Sequence, residues 1–125
     1  MPFTVTPILL SNATAGQPVN TTSTAAGSGA TLLHKTSTST SDIDSLDLYA
    51  ANNDTADQTV TIQPGTTSTA ANVSALLPPS GGAVYVGRFT LTGDGTTGGS
   101  AVRSYATKGS VVNLWADAMR YKSIT

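Results

Sequence analysis

The sequence predicts an all-β protein: a single small β-sandwich or jelly-roll-like barrel with an extended N-terminal arm. The chain has 125 residues, enough for one modest core. Only 10% of them are charged, and the abundant Thr and Gly are weak helix formers, whereas Thr fits strands well. Short runs of alternating apolar and polar residues recur between turns rich in Asn, Asp, Ser and Gly.

The first 30 residues are predicted to form the arm, and residues 31–125 the β-sandwich domain. Three prolines and the tract NTTSTAAGSGA leave the first segment too few large apolar side chains for a core of its own. Its FTVTPILL run suits docking on another surface, with a floppy terminus as the alternative. The apolar run is short and lacks a preceding basic region, so we expect neither secretion nor a membrane partner.

Three β-type runs follow, ATLLHKTS, LDLYAANN and QTVTIQPG, separated by the turn-forming TSTSD and NDTAD. In the second run Leu46, Leu48 and Ala50 share one face. In the third, Val60 and Ile62 alternate with Thr and Gln. Each of these strands is therefore predicted to bury one face and expose the other.

Residues 64–82 hold three prolines and three glycines. They are predicted to be a long connection that carries a short apolar patch, VSALL, and crosses between two sheets. Two further strands, AVYVGRFTLTG and AVRSYATKG, flank the predicted hairpin tip DGTTGGS. The closing run SVVNLWADAMRYKSI contains good helix formers, but a two-residue apolar period from Val112 to Ala118 favours a strand.

Five aspartates surround the second strand: Asp42, Asp44, Asp47, Asp54 and Asp57. They could form a cation or catalytic site, or only cover a hairpin. The strand period places Asp47 on the solvent face, Asp42 and Asp44 at the start of the strand, and the other two in a turn, where Asp is favoured. Because the segment also lacks the glycine and glutamate of an EF-hand loop, we expect no metal and no cofactor.

The sequence predicts no catalytic residue, and we expect no enzyme. His34 is the single histidine, there is no cysteine, and neither a G-x-S-x-G elbow nor a phosphate-binding GxxxxGK[ST] loop is present. A strand or turn histidine without a catalytic role is the favoured interpretation of His34. With a formal charge of −1, the chain is also not expected to bind nucleic acid.

The stretch LLHKTSTSTSDIDSLDLYAANNDTADQTVTIQPG, with a VYVG strand and a closing apolar strand after it, resembles a group of small virion proteins of tailed bacteriophages. The pattern is a strand ending in Leu-His, a polar turn, an Ile-Asp-x-[aliphatic]-x-[aliphatic]-Tyr-Ala-x-Asn strand and a Thr-Ile strand. It is matched most closely from Thr31 to Gly65. The residues on it are His34, Ile43, Asp44, Tyr49, Ala50, Asn52, Thr61 and Ile62.

This resemblance implies a head decoration, or cement, protein on the outer surface of the capsid in the virion. Its partners would be the major capsid protein and further copies of itself, commonly in a homotrimer. A neck or tail component, such as an adaptor, stopper or tail-tip subunit, is the alternative. A carbohydrate-binding module is a third hypothesis, and it would need exposed aromatic side chains on one flat face.

Candidate contact residues were chosen for apolar or aromatic character, because aromatic side chains are the best interface anchors. We expect contacts with the capsid or between subunits from Phe3, Val5, Ile8, Leu9 and Leu10 in the arm, and from Tyr85, Phe89 and Tyr121 in the domain. Trp115 is either a further anchor or a core residue.

Overall fold

The computed structural model describes residues 3–65, 71–95 and 100–123, and in these ranges the chain forms nine β-strands and no α-helix. In chain order they are β1 (Phe3–Ile8), β2 (Val19–Thr21), β3 (Thr31–Lys35), β4 (Ile43–Asn52), β5 (Gln58–Pro64), β6 (Val73–Leu77), β7 (Val84–Thr92), β8 (Ala101–Ala106) and β9 (Val112–Ser123). Over the same residues, no helix is long and apolar enough to cross a membrane.

The strands form two antiparallel sheets, and the predicted all-β sandwich is confirmed. The first sheet has the order β1-β9-β4-β7, and β2 also pairs with β9. The second sheet has the order β3-β8-β5-β6. The closing run is a strand, as its two-residue period predicts, and it lies at the centre of the first sheet.

The core lies between the two sheets and is built from the inward side chains of their strands. It includes the predicted inner faces of β4, β5 and β9. Its buried members are Leu10, Val19, Leu33, Leu46, Leu48, Ala50, Val60, Ile62, Leu77, Phe89, Val102, Ala106, Val112, Leu114 and Ala118.

The extended N-terminal arm is not confirmed. β1 pairs with β9 along its whole length, Leu10 and Val19 lie in the core, and the Thr21 hydroxyl is 2.8 Å from that of Ser104 in a buried hydrogen bond. The alternating side chains that suit docking on another protein instead complete the edge of the chain's own sheet. Pro7 is tolerated in β1 because an edge strand has one side without ladder hydrogen bonds.

Part of the segment before β3 packs on the second sheet. The Gly27 amide donates to the side-chain oxygen of Gln63 at 2.8 Å, and the Gln63 amide donates back to the Gly27 carbonyl at 3.1 Å. Arg103 donates to the Ala30 carbonyl at 3.0 Å. Gln63 is therefore buried, and Thr61, whose hydroxyl is 2.8 Å from that of Ser74 on β6, is buried as well. The solvated face predicted for this strand is wrong.

The connection predicted over residues 64–82 contains a strand. VSALL is β6, which pairs with β5 at the edge of the second sheet. The crossing between sheets comes later, from Leu77 to Val84, because β6 belongs to the second sheet and β7 to the first. The predicted hairpin between β7 and β8 is wrong, because the two strands belong to different sheets. Residues 66–70 and 96–99 lie outside the described residues.

A β-bulge in β7 changes which of its side chains face the core. Leu48 of β4 pairs with Gly87, but the next residue of β4 pairs with Tyr85, so Val86 is the extra residue. Gly87 has a φ of 157°, which side chains other than glycine rarely adopt. Because of the extra residue, Tyr85 and Arg88 point to the same side of the sheet.

A second bulge lies in β3. The register with β8 shifts between Leu32 and His34, which leaves Leu33 as the extra residue. Two consecutive side chains, Leu33 and His34, are consequently both buried. The bulge thus turns the single histidine into the core rather than towards solvent.

Candidate functional site

The side of the first sheet that points away from the second sheet, here called the outer face, carries four of the seven exposed large apolar side chains among the described residues. Its four largest exposed apolar side chains, from Met119 at 41% to Val5 and Tyr85 at 52%, come from β1, β7 and β9. By strand alternation and register, the face comprises Phe3, Val5, Pro7, Ile43, Ser45, Asp47, Tyr49, Tyr85, Arg88, Trp115, Asp117, Met119 and Tyr121.

The structure brings together four of the eight predicted contact residues. Phe3, Val5, Tyr85 and Tyr121 share the outer face, although they come from opposite ends of the chain. Leu9, just after β1, is also exposed.

The other three predicted contacts do not lie on the outer face. Leu10 and Phe89 are core residues, and Ile8 is partly buried against the core. Phe89 faces inward because the bulge at Val86 breaks the two-residue period that would have placed it beside Tyr85. Leu10 turns inward where the chain leaves the edge of the first sheet.

Three aromatic side chains form a row across adjacent strands of the outer face. Trp115 of β9, Tyr49 of β4 and Tyr85 of β7 occupy paired register positions. The ring centroids of Tyr49 and Trp115 are 6.3 Å apart with nearly parallel planes, and those of Tyr49 and Tyr85 are 5.4 Å apart and tilted. Aromatic pairs at such separations attract each other, so the three rings stabilise one another's positions.

A charged row lies beside the aromatic row. Asp117 of β9, Asp47 of β4 and Arg88 of β7 are register partners. Arg88 binds Asp47 through two hydrogen bonds of 3.0 and 2.9 Å, and the Tyr85 hydroxyl donates to the same carboxylate at 2.9 Å. The bonds from Arg88 and Tyr85 hold the pKa of Asp47 below its usual value, and the bond to Asp47 raises the pKa of Tyr85.

A shallow groove adjoins the aromatic row at its Trp115 end. It has a volume of about 220 Å³, part of which is open to solvent, and Leu9, Leu10 and Gln17 line it together with Trp115. The groove lies at the edge of β9 between the positions paired with β1 and with β2, where the chain that joins these two strands leaves the sheet.

A second cluster of charged groups lies buried between the sheets. Asp44 accepts two hydrogen bonds from Arg120, at 2.7 and 2.8 Å, and one from His34 Nε2 at 2.7 Å. Asp44 and Arg120 are direct register partners on β4 and β9. Burial acts to raise the pKa of Asp44, but the bonds from Arg120 and His34 outweigh it and leave this pKa below its usual value.

His34 links this cluster to the N-terminal segment. The Ser11 amide lies 3.0 Å from His34 Nδ1 and can only donate, so Nδ1 accepts and the ring proton resides on Nε2, facing Asp44. The Ser11 hydroxyl accepts from the Lys35 amide at 2.7 Å instead of approaching the ring. Although Ser11, His34 and Asp44 are the residue types of a hydrolase triad, His34 is buried and does not face the hydroxyl that it would have to activate.

The remaining aspartates of the predicted cluster have structural partners or lie in the turn. Asp42 accepts from the Ser37 hydroxyl at 2.8 Å. Asp54 binds its following amide, Gln58 and Lys108, and the backbone bond together with Lys108 lowers the pKa of Asp54. Asp57 is exposed in the turn before β5. In the described ranges, no group of His, Asp or Glu side chains could hold a metal ion.

Comparison with known proteins found no match: no family model, curated protein or solved structure is similar to this chain.

Sequence reasoning identified the apolar part of the outer face but missed Tyr49, Asp117 and Met119. The two-residue period from Trp115 to Tyr121 was the available signal, because it places Asp117 and Met119 on one face with the tryptophan. It also missed that three of the polar residues on the phage-like pattern, His34, Asp44 and Asn52, are buried. Those three side chains stabilise the fold and are not part of the outer face.

Proposed function

We propose that this protein is a bacteriophage head decoration protein that docks on the outer surface of the capsid through its outer face and stabilises contacts between major capsid subunits. The observation that carries the proposal is the apolar and aromatic surface of the outer face, where Phe3, Val5, Tyr85 and Met119 are exposed together. Part of the second sheet is instead covered by the chain's own residues near Gly27 and Ala30, which bond to Gln63 and Arg103. Large exposed apolar patches on small domains are typical of protein-binding surfaces.

The mechanism requires no chemistry. A protein that binds the assembled shell but not free capsid subunits stabilises the shell by mass action. The aromatic row and the apolar side chains of β1 and β9 would supply the contact area, and they are preordered by the sheet, which limits the entropy lost on docking.

The proposal is tested with particles of the phage whose genome encodes this chain, prepared with and without the protein. We expect about one copy per major capsid subunit in complete particles, measured by mass spectrometry. A dozen copies or fewer would instead identify a neck or tail component, the alternative that shares the small β-fold.

The docking surface is tested by Val5→Lys, which places a charge on the outer face at an exposed position of an edge strand. We expect this variant to lose binding to particles that lack the protein. Thr55→Lys, at an exposed β-branched residue in the turn after β4, is the matched control and should bind normally. Equal binding by both variants would exclude the outer face as the docking surface.

Self-association into a trimer is proposed to use the edge of the second sheet. β6 pairs only with β5 among the described strands, and its Leu76 and Val73 are exposed. Unpaired edges with apolar side chains favour association between chains. Sedimentation analysis should show a trimer that Leu76→Lys dissociates and Val5→Lys does not; a monomeric wild-type protein would refute this part of the proposal.

A carbohydrate-binding module is the second candidate, favoured by the row formed by Trp115, Tyr49 and Tyr85 on one sheet face. Aromatic rings with neighbouring polar side chains, here Asp47 and Arg88, can contact the apolar face and the hydroxyl groups of a sugar ring. A glycan array probed with the wild-type protein and with Tyr85→Ala separates this candidate from the first. Binding that Tyr85→Ala abolishes would favour it over capsid docking.

A further inference from the structure

We infer that the partner of the outer face places an arginine side chain over Asp117, within an otherwise apolar contact. This inference rests on the proposed docking function and names the chemistry of the partner surface. Asp117 is exposed near the middle of the outer face, between Trp115 and Met119 of the same strand. The partner's arginine would therefore arrive where the surrounding surface is apolar.

Asp117 forms no ion pair with any of the described residues. Its cross-strand partner is Asp47, so two carboxylates oppose each other, an arrangement that destabilises a sheet. The oxygens of Asp47 are already bonded to Arg88 and Tyr85. Within the described residues, no cation or hydrogen-bond donor contacts the side chain of Asp117.

A cation on the partner would offset the repulsion between Asp47 and Asp117. It would bind where the neighbouring side chains are apolar. Trp115 and Met119 flank Asp117 at two-residue spacing, and the exposed Leu9 lies beside Trp115 in the groove. Once docking excludes water, the attraction between a carboxylate and a cation grows because the local dielectric falls. Surrounding apolar contacts that exclude water are the usual environment of interface residues that contribute most to affinity.

The neighbouring tryptophan favours arginine over lysine. A guanidinium group can bind a carboxylate with two hydrogen bonds and stack on an aromatic ring at the same time. Asp117 and Trp115 offer both groups on the same side of β9. An ammonium group would satisfy the charge but not the stacking.

A second copy of this chain does not supply a free arginine. Arg88 binds Asp47, Arg120 binds Asp44, and Arg103 donates to the Ala30 carbonyl. These three are all of the chain's arginines. The geometry therefore points to a different protein as the partner, in agreement with a capsid surface.

The experiment measures binding of Asp117→Asn and Asp117→Lys to particles prepared without the protein. We expect Asp117→Asn to bind at least about 10-fold more weakly and Asp117→Lys to show no binding. Asp57→Lys is the matched control, since it makes the same change of charge in a turn outside the outer face. The control should bind like the wild type.

Two further measurements test the repulsion between Asp117 and Asp47 and identify the partner residue. Asp117→Asn should raise the midpoint of thermal unfolding of the free protein, because the repulsion with Asp47 is removed. Phage mutants that suppress Asp117→Lys should carry an acidic residue in place of an arginine of the capsid protein.

The outcomes separate the inference from the proposed function. If the wild type fails to bind the particles, the docking function and the inference both fail. If the wild type binds and Asp117→Lys binds equally well, the inference alone is wrong. If Asp117→Lys changes the oligomeric state of the free protein while Asp57→Lys does not, the cation comes from another copy and the inferred partner is wrong.

Discussion

Two aspartates three residues apart on β4 make nearly the same bond in opposite surroundings. Asp44 points into the core and Asp47 to the outer face, and each accepts two hydrogen bonds from an arginine on a neighbouring strand. The Asp44 side chain is 1% exposed and that of Asp47 is 22% exposed. The arginines differ likewise, with Arg120 at 28% and Arg88 at 65%.

The two pairs show that bonds of similar geometry contribute differently to stability in the core and on the outer face. A buried carboxylate without its partners would be a charge in a medium that solvates it poorly, so each bond to Asp44 is hard to lose. Water and salt can replace much of what Arg88 gives Asp47. The inner pair therefore contributes more to the stability of the sheet arrangement than the outer pair does.

The largest effect is expected from removing the inner carboxylate. Asp44→Ala leaves the buried His34 and the partly buried Arg120 without their shared acceptor, and we expect a loss of about 3–5 kcal/mol in the free energy of unfolding. Urea unfolding at neutral pH measures it. If this variant does not fold, Asp44→Asn, which retains one acceptor oxygen, still tests the order of effects. Asp47→Ala is the control. An equal loss in both variants would contradict the claim that the buried pair contributes more to stability than the exposed pair.

The next effect concerns the histidine that joins the inner cluster to the N-terminal segment. His34→Leu removes the acceptor for the Ser11 amide and the donor to Asp44, for which we expect a loss of about 1–3 kcal/mol. Hydrogen exchange should accelerate at Ser11 and at Asn12, which bonds to β3 through its own amide. Unchanged exchange at these two amides would show that the segment is held without the histidine.

The contributions of Asp44 and Asp47 to the free energy of unfolding that are lost at low pH should differ in size. Both pKa values lie below the ordinary value of 3.8. Each carboxylate therefore contributes stability that is present above about pH 3.8 and is lost as the pH falls through the lower, folded-state pKa. Both Asp→Asn variants should lose less stability than the wild type as the pH falls below about 4, because the titrating carboxylate is absent. We expect this reduction to be larger for Asp44→Asn than for Asp47→Asn. Urea midpoints measured between pH 7 and pH 2.5 test this, and the opposite order would contradict it.

The smallest effect is expected from Asp47→Asn at neutral pH. The pair with Arg88 is exposed, so its attraction is screened, and about 0.5 M NaCl should remove most of the difference between variant and wild type. Thermal unfolding at low and high salt measures it. A difference that persists at high salt would show that the Tyr85 bond or local packing, rather than charge, makes the contribution.

The sequence predicted the strands and inner faces well because their two-residue periods are local. The same period that assigns Leu46 and Leu48 to the core also assigns Asp44 to it. A buried aspartate is credible only with a partner, and Arg120 lies 76 residues away on a strand whose register the sequence does not reveal. The contacts among His34, Asp44 and Arg120 could therefore not be predicted from the sequence.

The direction in which a side chain points could not be predicted where a β-bulge interrupts the local period. Phe89 was predicted to be a contact because it is aromatic, and the extra residue in β7 places it on the opposite side of the sheet from Tyr85. His34 is buried because of the similar interruption in β3. The N-terminal residues were interpreted as an arm since nothing local reveals that β1 pairs with β9, at the other end of the sequence.

The central position of β9 has a consequence for how the molecule is made. β1, β2 and β4 all take β9 as a hydrogen-bonding partner, yet the ribosome synthesises all three before it. Until residues 112–123 emerge, the apolar inner sides of these strands lack their neighbour and are prone to aggregate or to meet a chaperone. Pairing across so long a stretch of sequence also slows the search for the native state. Folding of the first sheet is accordingly expected to wait until β9 has been synthesised.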